Sequence, residues 1–164
     1  MPESEPLNHV INVVVAGLGG QGVIKASDIL ADAVFRAGFD VKKAEVHGMS
    51  QRGGSVNSDV RFGPRVFSPM IPDGEADFLV VLAEDQVETN RNRLRANGVL
   101  IDPSAIGAAA LSNPRTLNVA LLGLLSTRLP VEETHWIEAL RANLPEKILE
   151  INMKAFQAGR TVTR

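Results

Sequence analysis

The chain has 164 residues, with 17 Lys and Arg against 19 Asp and Glu, and a formal net charge of −2. It is 45% apolar and 22% charged, the composition of one globular domain with a core that needs no covalent staples. So balanced a charge gives no bulk attraction for nucleic acid or anionic membrane. There is no cysteine, which excludes a disulfide framework, a thiolate metal site, a catalytic thiol and ordinary iron–sulfur ligation from within this chain.

Met1 to His9 are polar, hold two prolines and lack the basic and apolar regions of a signal peptide, so they read as a flexible lead-in to a domain over residues 10–158. No apolar run approaches the ~18 residues needed to span a bilayer, which suggests a soluble, cytoplasmic protein. Val10 to Ala16 is Val-rich and broken only by Asn12, the pattern of a strand buried on both faces. Gly17-Leu18-Gly19-Gly20-Gln21-Gly22 follows at once. From Val23 to Ala37 the apolar residues fall at helical spacing, Asp32 and Arg36 make an i,i+4 pair, and Gly38 closes the helix. Asp40 to Val46 is a second strand. Strand, glycine turn, helix and strand make a βαβ unit with parallel strands.

His47 to Gly54 reads as a polar loop. Ser55 to Phe62 alternates, Gly63-Pro64 marks a turn, and Arg65 to Met70 can return as the second arm of an antiparallel hairpin. Asp77 to Leu82 is another buried strand. Asp85-Gln86-Val87-Glu88 fits a capping box that opens a helix to about Arg95. Gly98 to Ile101 is a short strand ended by Pro103. Three helices follow, over 117–128, 131–143 and 146–158, punctuated by Pro130 and Pro145, with 159–164 as a tail. The expected fold is a single α/β domain, Rossmann-like, with a mostly parallel sheet, an antiparallel hairpin and a helical C-terminal third.

Two segments can carry chemistry. Gly17, Gly19 and Gly22 match G-x-G-x-x-G between a strand and a helix, where free helix-start amides attract an anion. Glu45 stands about 20 residues on, the distance of a ribose-binding carboxylate. A nicotinamide or flavin site is one reading; glycines that only let strand and helix pack closely is the other. Gly20 and Gln21 at the x-x positions weaken the first. The second segment is Glu45-Val46-His47-Gly48-Met49-Ser50-Gln51-Arg52-Gly53-Gly54-Ser55. Glu45 and His47 are two apart in an extended stretch and point the same way, so carboxylate and imidazole can couple. Gln51 and Arg52 add an amide and a permanent cation, and Gly53 and Gly54 admit other backbone. This loop leaves its strand at the edge where the glycine loop leaves, the edge at which open α/β sheets bind ligands. It reads as an anion site or partner surface, with Arg52 the strongest single candidate, or else as a solvated loop. His135 and Trp136 read as helix packing. Arg91, Arg93 and Arg95 do not share a helix face and read as a solvated surface. Met49, Val66, Phe67, Met70 and Ile71 form a candidate apolar partner face or homo-oligomer contact.

The glycine loop and the E-V-H-G-M-S-Q-R-G-G-S run resemble the gamma-domain family of the thiamine-dependent 2-oxoacid:ferredoxin oxidoreductases, and within it the small (beta) subunits of the indolepyruvate branch. Val60-Arg61-Phe62-Gly63, Ser68 to Pro72, Gly74 to Asp77, the 118–123 helix and Asn152 to Gly159 add to the likeness, which covers nearly the whole chain. The stretch from Asp102 to Asn113 looks shorter than the family's connection. The resemblance implies a Rossmann-like subunit without NAD, inactive alone. It would assist a large subunit in the oxidative decarboxylation of a 2-oxoacid to acyl-CoA, with electrons passed to ferredoxin. Thiamine diphosphate and iron–sulfur clusters would lie on that partner. Gly17, Gly19, Gly20, Gln21, Gly22, Glu45, His47, Ser50, Gln51, Arg52, Gly53 and Gly54 would face CoA phosphates or the active-site edge. The residues leave open a stand-alone NAD(P)-dependent dehydrogenase and a non-enzymatic interaction module of the same fold.

Overall fold

A computed structural model describes residues 6–47, 54–107 and 111–162. The apolar run opens the chain as strand β1 (Ile11–Leu18), buried along almost its whole length. Helix α1 (Val23–Arg36) follows and turns Val23, Ala26, Ile29, Leu30, Ala33 and Val34 inward. Asp32 and Arg36 pair at 3.0 Å on a half-buried side, where Asn143 of the C-terminal third also donates to Asp32. Gly38, at φ 96°, closes it: the Phe39 amide returns to the Val34 carbonyl and the Gly38 amide to Phe35.

Strands β2 (Asp40–His47), β3 (Ser55–Gly63), β4 (Ala76–Val81) and β5 (Leu94–Ile101) complete one open sheet, in the order β2-β3-β1-β4-β5. β4 runs parallel to β1 and β5 parallel to β4, but β3 is antiparallel to both β1 and β2. The sheet is therefore mixed. β2 has the direction that a βαβ unit requires, yet it does not lie beside β1, because β3 has inserted between them. Period-2 alternation tells which face a residue takes, not which strand is its neighbour.

The predicted hairpin is also differently built. Ser55 to Phe62 is a strand, but its antiparallel partners are β1 and β2; Arg65 to Met70 forms no strand. The Asp85 capping box does not form. Short turns at Glu84–Gln86 and Arg91–Arg93 flank a single helical turn, α2 (Val87–Asn90), and none of them carries a side-chain cap. β5 then begins at Leu94, earlier than Gly98, with Asn97 in the left-handed region at φ 64° where the register slips against β4.

The C-terminal third is helical: α3 (Leu117–Ser126), α4 (Glu133–Asn143) and α5 (Glu146–Arg160). α3 is apolar all round and buried from Asn118 to Ser126. α5 continues past Ala158 because Gly159 lies hard against the Ala120 carbonyl of α3. Trp136 is fully buried with its ring 5.9 Å from Phe156, the packing role expected for it. The main core joins α1, α3, α4 and α5 to one face of the sheet. The other face has a smaller core of Val14, Ala16, Ile71, Ala76, Leu79, Val81 and Val87, covered by the irregular 64–75 and 83–93 segments. Among the described residues no helix is long and apolar enough to cross a membrane.

Candidate functional site

The two glycine-bearing segments meet at one sheet edge. Leu18 at the end of β1 pairs with Ser55, and His47 at the end of β2 pairs with Val56. The Gly19 amide donates to the Gly54 carbonyl at 2.9 Å, which ties the loops together. Gly48, Met49, Ser50, Gln51, Arg52 and Gly53 lie outside the described residues.

Within the first loop, each glycine has a separate reason. A Cβ on Gly17 would press on Val23 and Leu82, so Gly17 serves close packing of strand and helix. Gly20 and Gly22 hold φ of 87° and 83°, where a side chain is strained. Gly20 faces open space, while Gly22 lies against the Asn118 amide. The Gln21 side chain folds back, its Oε1 accepting from the Leu18 amide at 2.7 Å, so it braces the turn. Asn118 reaches over from α3 and donates to the Gly22 carbonyl at 3.2 Å. Asn118 was not singled out in sequence; a polar residue at the front of an apolar helix is the signal that could have marked it.

Beside the loop is a cleft of about 560 Å³, lined by Gly20, Gln21, Gly22, Leu82, Arg115, Leu117 and Asn118. Pro114 and Leu117 are shared with a second cavity that runs to Glu84, Ser104 and Ile106. On the opposite side of the loop, Gly19, Gly22, Lys25, His47 and Val56 line a third hollow. The first turn of α1 has no acidic residue. With Arg115 on one side and Lys25 on the other, the exposed end of the helix suits an anion.

Glu45 and His47 do share a face, the one that looks toward α1, but the structure pairs Glu45 with Lys43, Oε1 to Nζ at 2.6 Å. Lys43 also binds Asp28 of α1. Burial alone would lower the Lys43 pKa, but hydrogen bonds and charge from Asp28 and Glu45 outweigh it and hold the ammonium above its ordinary 10.5. Glu45 does not meet the ribose requirement either. It is level with Ser58 and Val15, two strands across from β1 and so roughly 10 Å away, because β3 intervenes.

Two charged residues not singled out for a site form a buried clamp. Arg93 donates from Nη2 to both Asp59 oxygens, at 3.0 and 2.9 Å, and to the Ile71 carbonyl, while Asp59 Oδ2 accepts from the Ile71 amide. Both side chains are largely buried. The Asp73 carboxylate lies 3.1 Å from Arg93 Nε without the alignment of a hydrogen bond. Arg93 is therefore no solvated surface residue: the clamp fastens the 64–75 segment to the sheet. Arg91 and Arg95 do lie outside, paired with Glu88 and Asp77. Of the expected apolar face, Phe67 and Met70 are exposed, whereas Val66 and Ile71 are buried and serve the core. Among the described residues no group of three His, Asp or Glu side chains is placed to hold a metal ion.

The chain matches the model of the pyruvate ferredoxin/flavodoxin oxidoreductase family over residues 12–107 and 101–162. The two pieces meet within the stretch that looked shortened in sequence. It is similar to the indolepyruvate oxidoreductase subunit IorB of Thermococcus kodakarensis, at 34% identity over 90% of this chain and 93% of the relative. The IorB subunit of Archaeoglobus fulgidus is 33% identical over 91% and 93%. The ketoisovalerate oxidoreductase subunit VorA of Methanothermobacter marburgensis is 28% identical over 96% of this chain but 37% of its own length. In structure, the chain superposes on a keto/oxoacid ferredoxin oxidoreductase gamma subunit from Geobacter sulfurreducens with a TM-score of 0.76, 23% identity and coverage of 94% and 96%, a likeness of fold. The matched order of strands and helices and the glycine loop joined to the end of the E-V-H-G-M-S-Q-R-G-G-S segment belong together: the chain is a gamma-type small subunit of the 2-oxoacid:ferredoxin oxidoreductase family, closely related to IorB-type subunits.

Proposed function

We propose that this chain is the small subunit of an indolepyruvate or aryl-pyruvate oxidoreductase, working with a large subunit that carries thiamine diphosphate and the iron–sulfur clusters. One observation carries the reading: the IorB relatives match over nine-tenths of both chains at 30–34% identity, whereas the 2-oxoglutarate synthase subunit KorC of Methanothermobacter thermautotrophicus is 27% identical over a similar span and VorA matches over about a third of its own length. The lack of cysteine suits a subunit whose redox groups are held by its partner. When bound to the partner, thiamine diphosphate supplies the decarboxylation chemistry. This chain's own contribution is a binding edge. The α1 amides, Arg115 and Lys25 offer fixed positive potential on both sides of the glycine loop, and Arg52 extends the same loop cluster in sequence. That edge suits the phosphates of CoA, held by backbone donors that need no reorganisation.

The test is co-expression with the cognate large subunit. The expected result is a coloured, cysteine-rich complex that reduces ferredoxin with indolepyruvate and CoA, faster than with 2-oxoisovalerate or 2-oxoglutarate. Failure of the two chains to associate would refute the assignment, and a preference for 2-oxoglutarate would refute the substrate class. Arg115→Ala and Arg52→Ala should each raise the KM for CoA several-fold while leaving the KM for the 2-oxoacid alone. If neither does, the CoA role of this edge is wrong.

A further inference from the structure

The two edges of the sheet are treated differently. At β5, Asn97 adopts φ 64° and two residues of β4 oppose a longer stretch of β5, so that edge is kinked and cannot serve as a template. Natural sheets protect their edges in this way. β2 carries no such kink. It runs for eight residues in unbroken register with β3, and among the described residues no strand pairs with its other side. Its outer residues Lys42, Glu45, Val46 and His47 are exposed, Val46 by 50% although it is apolar.

A second copy can add to this edge symmetrically in only one manner. Antiparallel strands of two identical sheets are related by a two-fold axis normal to the sheet, which preserves the faces and centres the pairing on a single residue. Centring on Lys42 or Lys43 sets lysine against lysine, and centring on Glu45 sets glutamate against glutamate. Centring on Val41 or Val46 leaves much of the strand unpaired. Ala44 remains, with the smallest side chain at the axis. In that register Lys43 lies opposite Glu45 of the second copy, twice over. Lys42 lies opposite Val46, whose exposed side chain the lysine stem covers, and Val41 lies opposite His47. Lys43 already holds its own Glu45 at 2.6 Å. The two copies would thus close a ring of alternating charge across the axis, on the face backed by Asp28. The like charges that oppose one another in the Lys42-, Lys43- and Glu45-centred registers do not meet in this one.

We infer that the β2 edge is a homodimerisation surface, joining two chains through an Ala44-centred antiparallel pairing into one ten-stranded sheet.

The cysteine-free chain makes the test direct. Facing residues of antiparallel strands have Cα atoms about 4.5–5.5 Å apart, within disulfide range. Full-length Ala44→Cys should form a covalent dimer under mild oxidation at concentrations where the exposed control Lys154→Cys does not. In light scattering, Glu45→Lys and Lys43→Glu should each weaken the dimer at least about tenfold, because each puts like charges opposite one another twice. Mixed, the two variants should recover it as a heterodimer. Circular dichroism checks that each variant folds, and the disulfide test stands if Lys43→Glu does not. A wild-type chain that stays monomeric, crosslinking of Ala44→Cys no better than the control, or failure of the mixture to pair would each overturn the inference.

Discussion

Gly159→Ala probes the contact that locks the C-terminal helices together. A methyl group at Gly159 would sit 1.9 Å from the Ala120 carbonyl oxygen and 2.9 Å from the Leu124 nitrogen, where real Cβ atoms keep at least 3.0 Å. All of these atoms are backbone, so no rotamer change relieves the clash. Helices α3 and α5 would have to part by roughly 1 Å in an interior packed at crystal density. Gly123, on the facing helix, meets the Phe156 carbonyl in the same manner, so the seam has no slack. Alanine gains up to about 1 kcal/mol of helix propensity over glycine. Overpacking costs about 1–3 kcal/mol, with rigid obstacles at the upper end. The net loss is about 2 kcal/mol, or about 4–8 °C in Tm for a chain of this size. Thermal denaturation followed by circular dichroism measures it. Gly107→Ala is the control, since a Cβ there meets nothing within 4 Å and φ is not positive. A Gly159→Ala protein that melts at or above the wild-type temperature would show that the helices do not pack through this glycine.

Other outcomes follow from the same geometry. Gly22→Ala forces an alanine to φ 83° and against the Asn118 amide; it should cost about 2 kcal/mol in urea denaturation. Part of that loss should return in the Gly22→Ala/Asn118→Ala double variant, as a non-additive cycle. Asp59→Asn leaves the Arg93 charge buried with only the exposed Asp73 carboxylate beside it and should destabilise by about 3 kcal/mol, whereas Asp59→Leu with Arg93→Met should recover most of it. Lys43 has a raised folded pKa, so its contribution is complete below its ordinary 10.5 and is lost as pH rises through the folded value. The urea midpoint of the wild type should fall more steeply than that of Lys43→Met as pH is taken above about 10. Isothermal titration of the chain with NAD or NADP should show no tight binding, because Glu45 is two strands from the glycine loop and held by Lys43; tight binding would revive a dinucleotide site.

Local chemistry was legible wherever a few adjacent residues suffice to set it. Gly38 closes α1, Pro130 and Pro145 separate the last helices, and the glycines between Leu18 and Val23 bend the chain from strand into helix. The convergence of two loops at one sheet edge was legible too, since both leave strands of the same direction. What the amino-acid order left open was the choice of neighbour. Nothing in the alternation of Ser55 to Phe62 says that it will lie between β1 and β2, and that insertion is what removes Glu45 from the glycine loop. Arg93 reads as solvent-exposed beside Arg91 and Arg95, yet it is buried, because its carboxylate partner Asp59 comes from a strand 34 residues earlier. Asn118 meets Gly22 across 96 residues. Strand, turn and helix follow from short-range sterics and periodicity. Sheet order, the buried ion pair and the lining of the cleft follow from long-range packing, which only the folded chain decides.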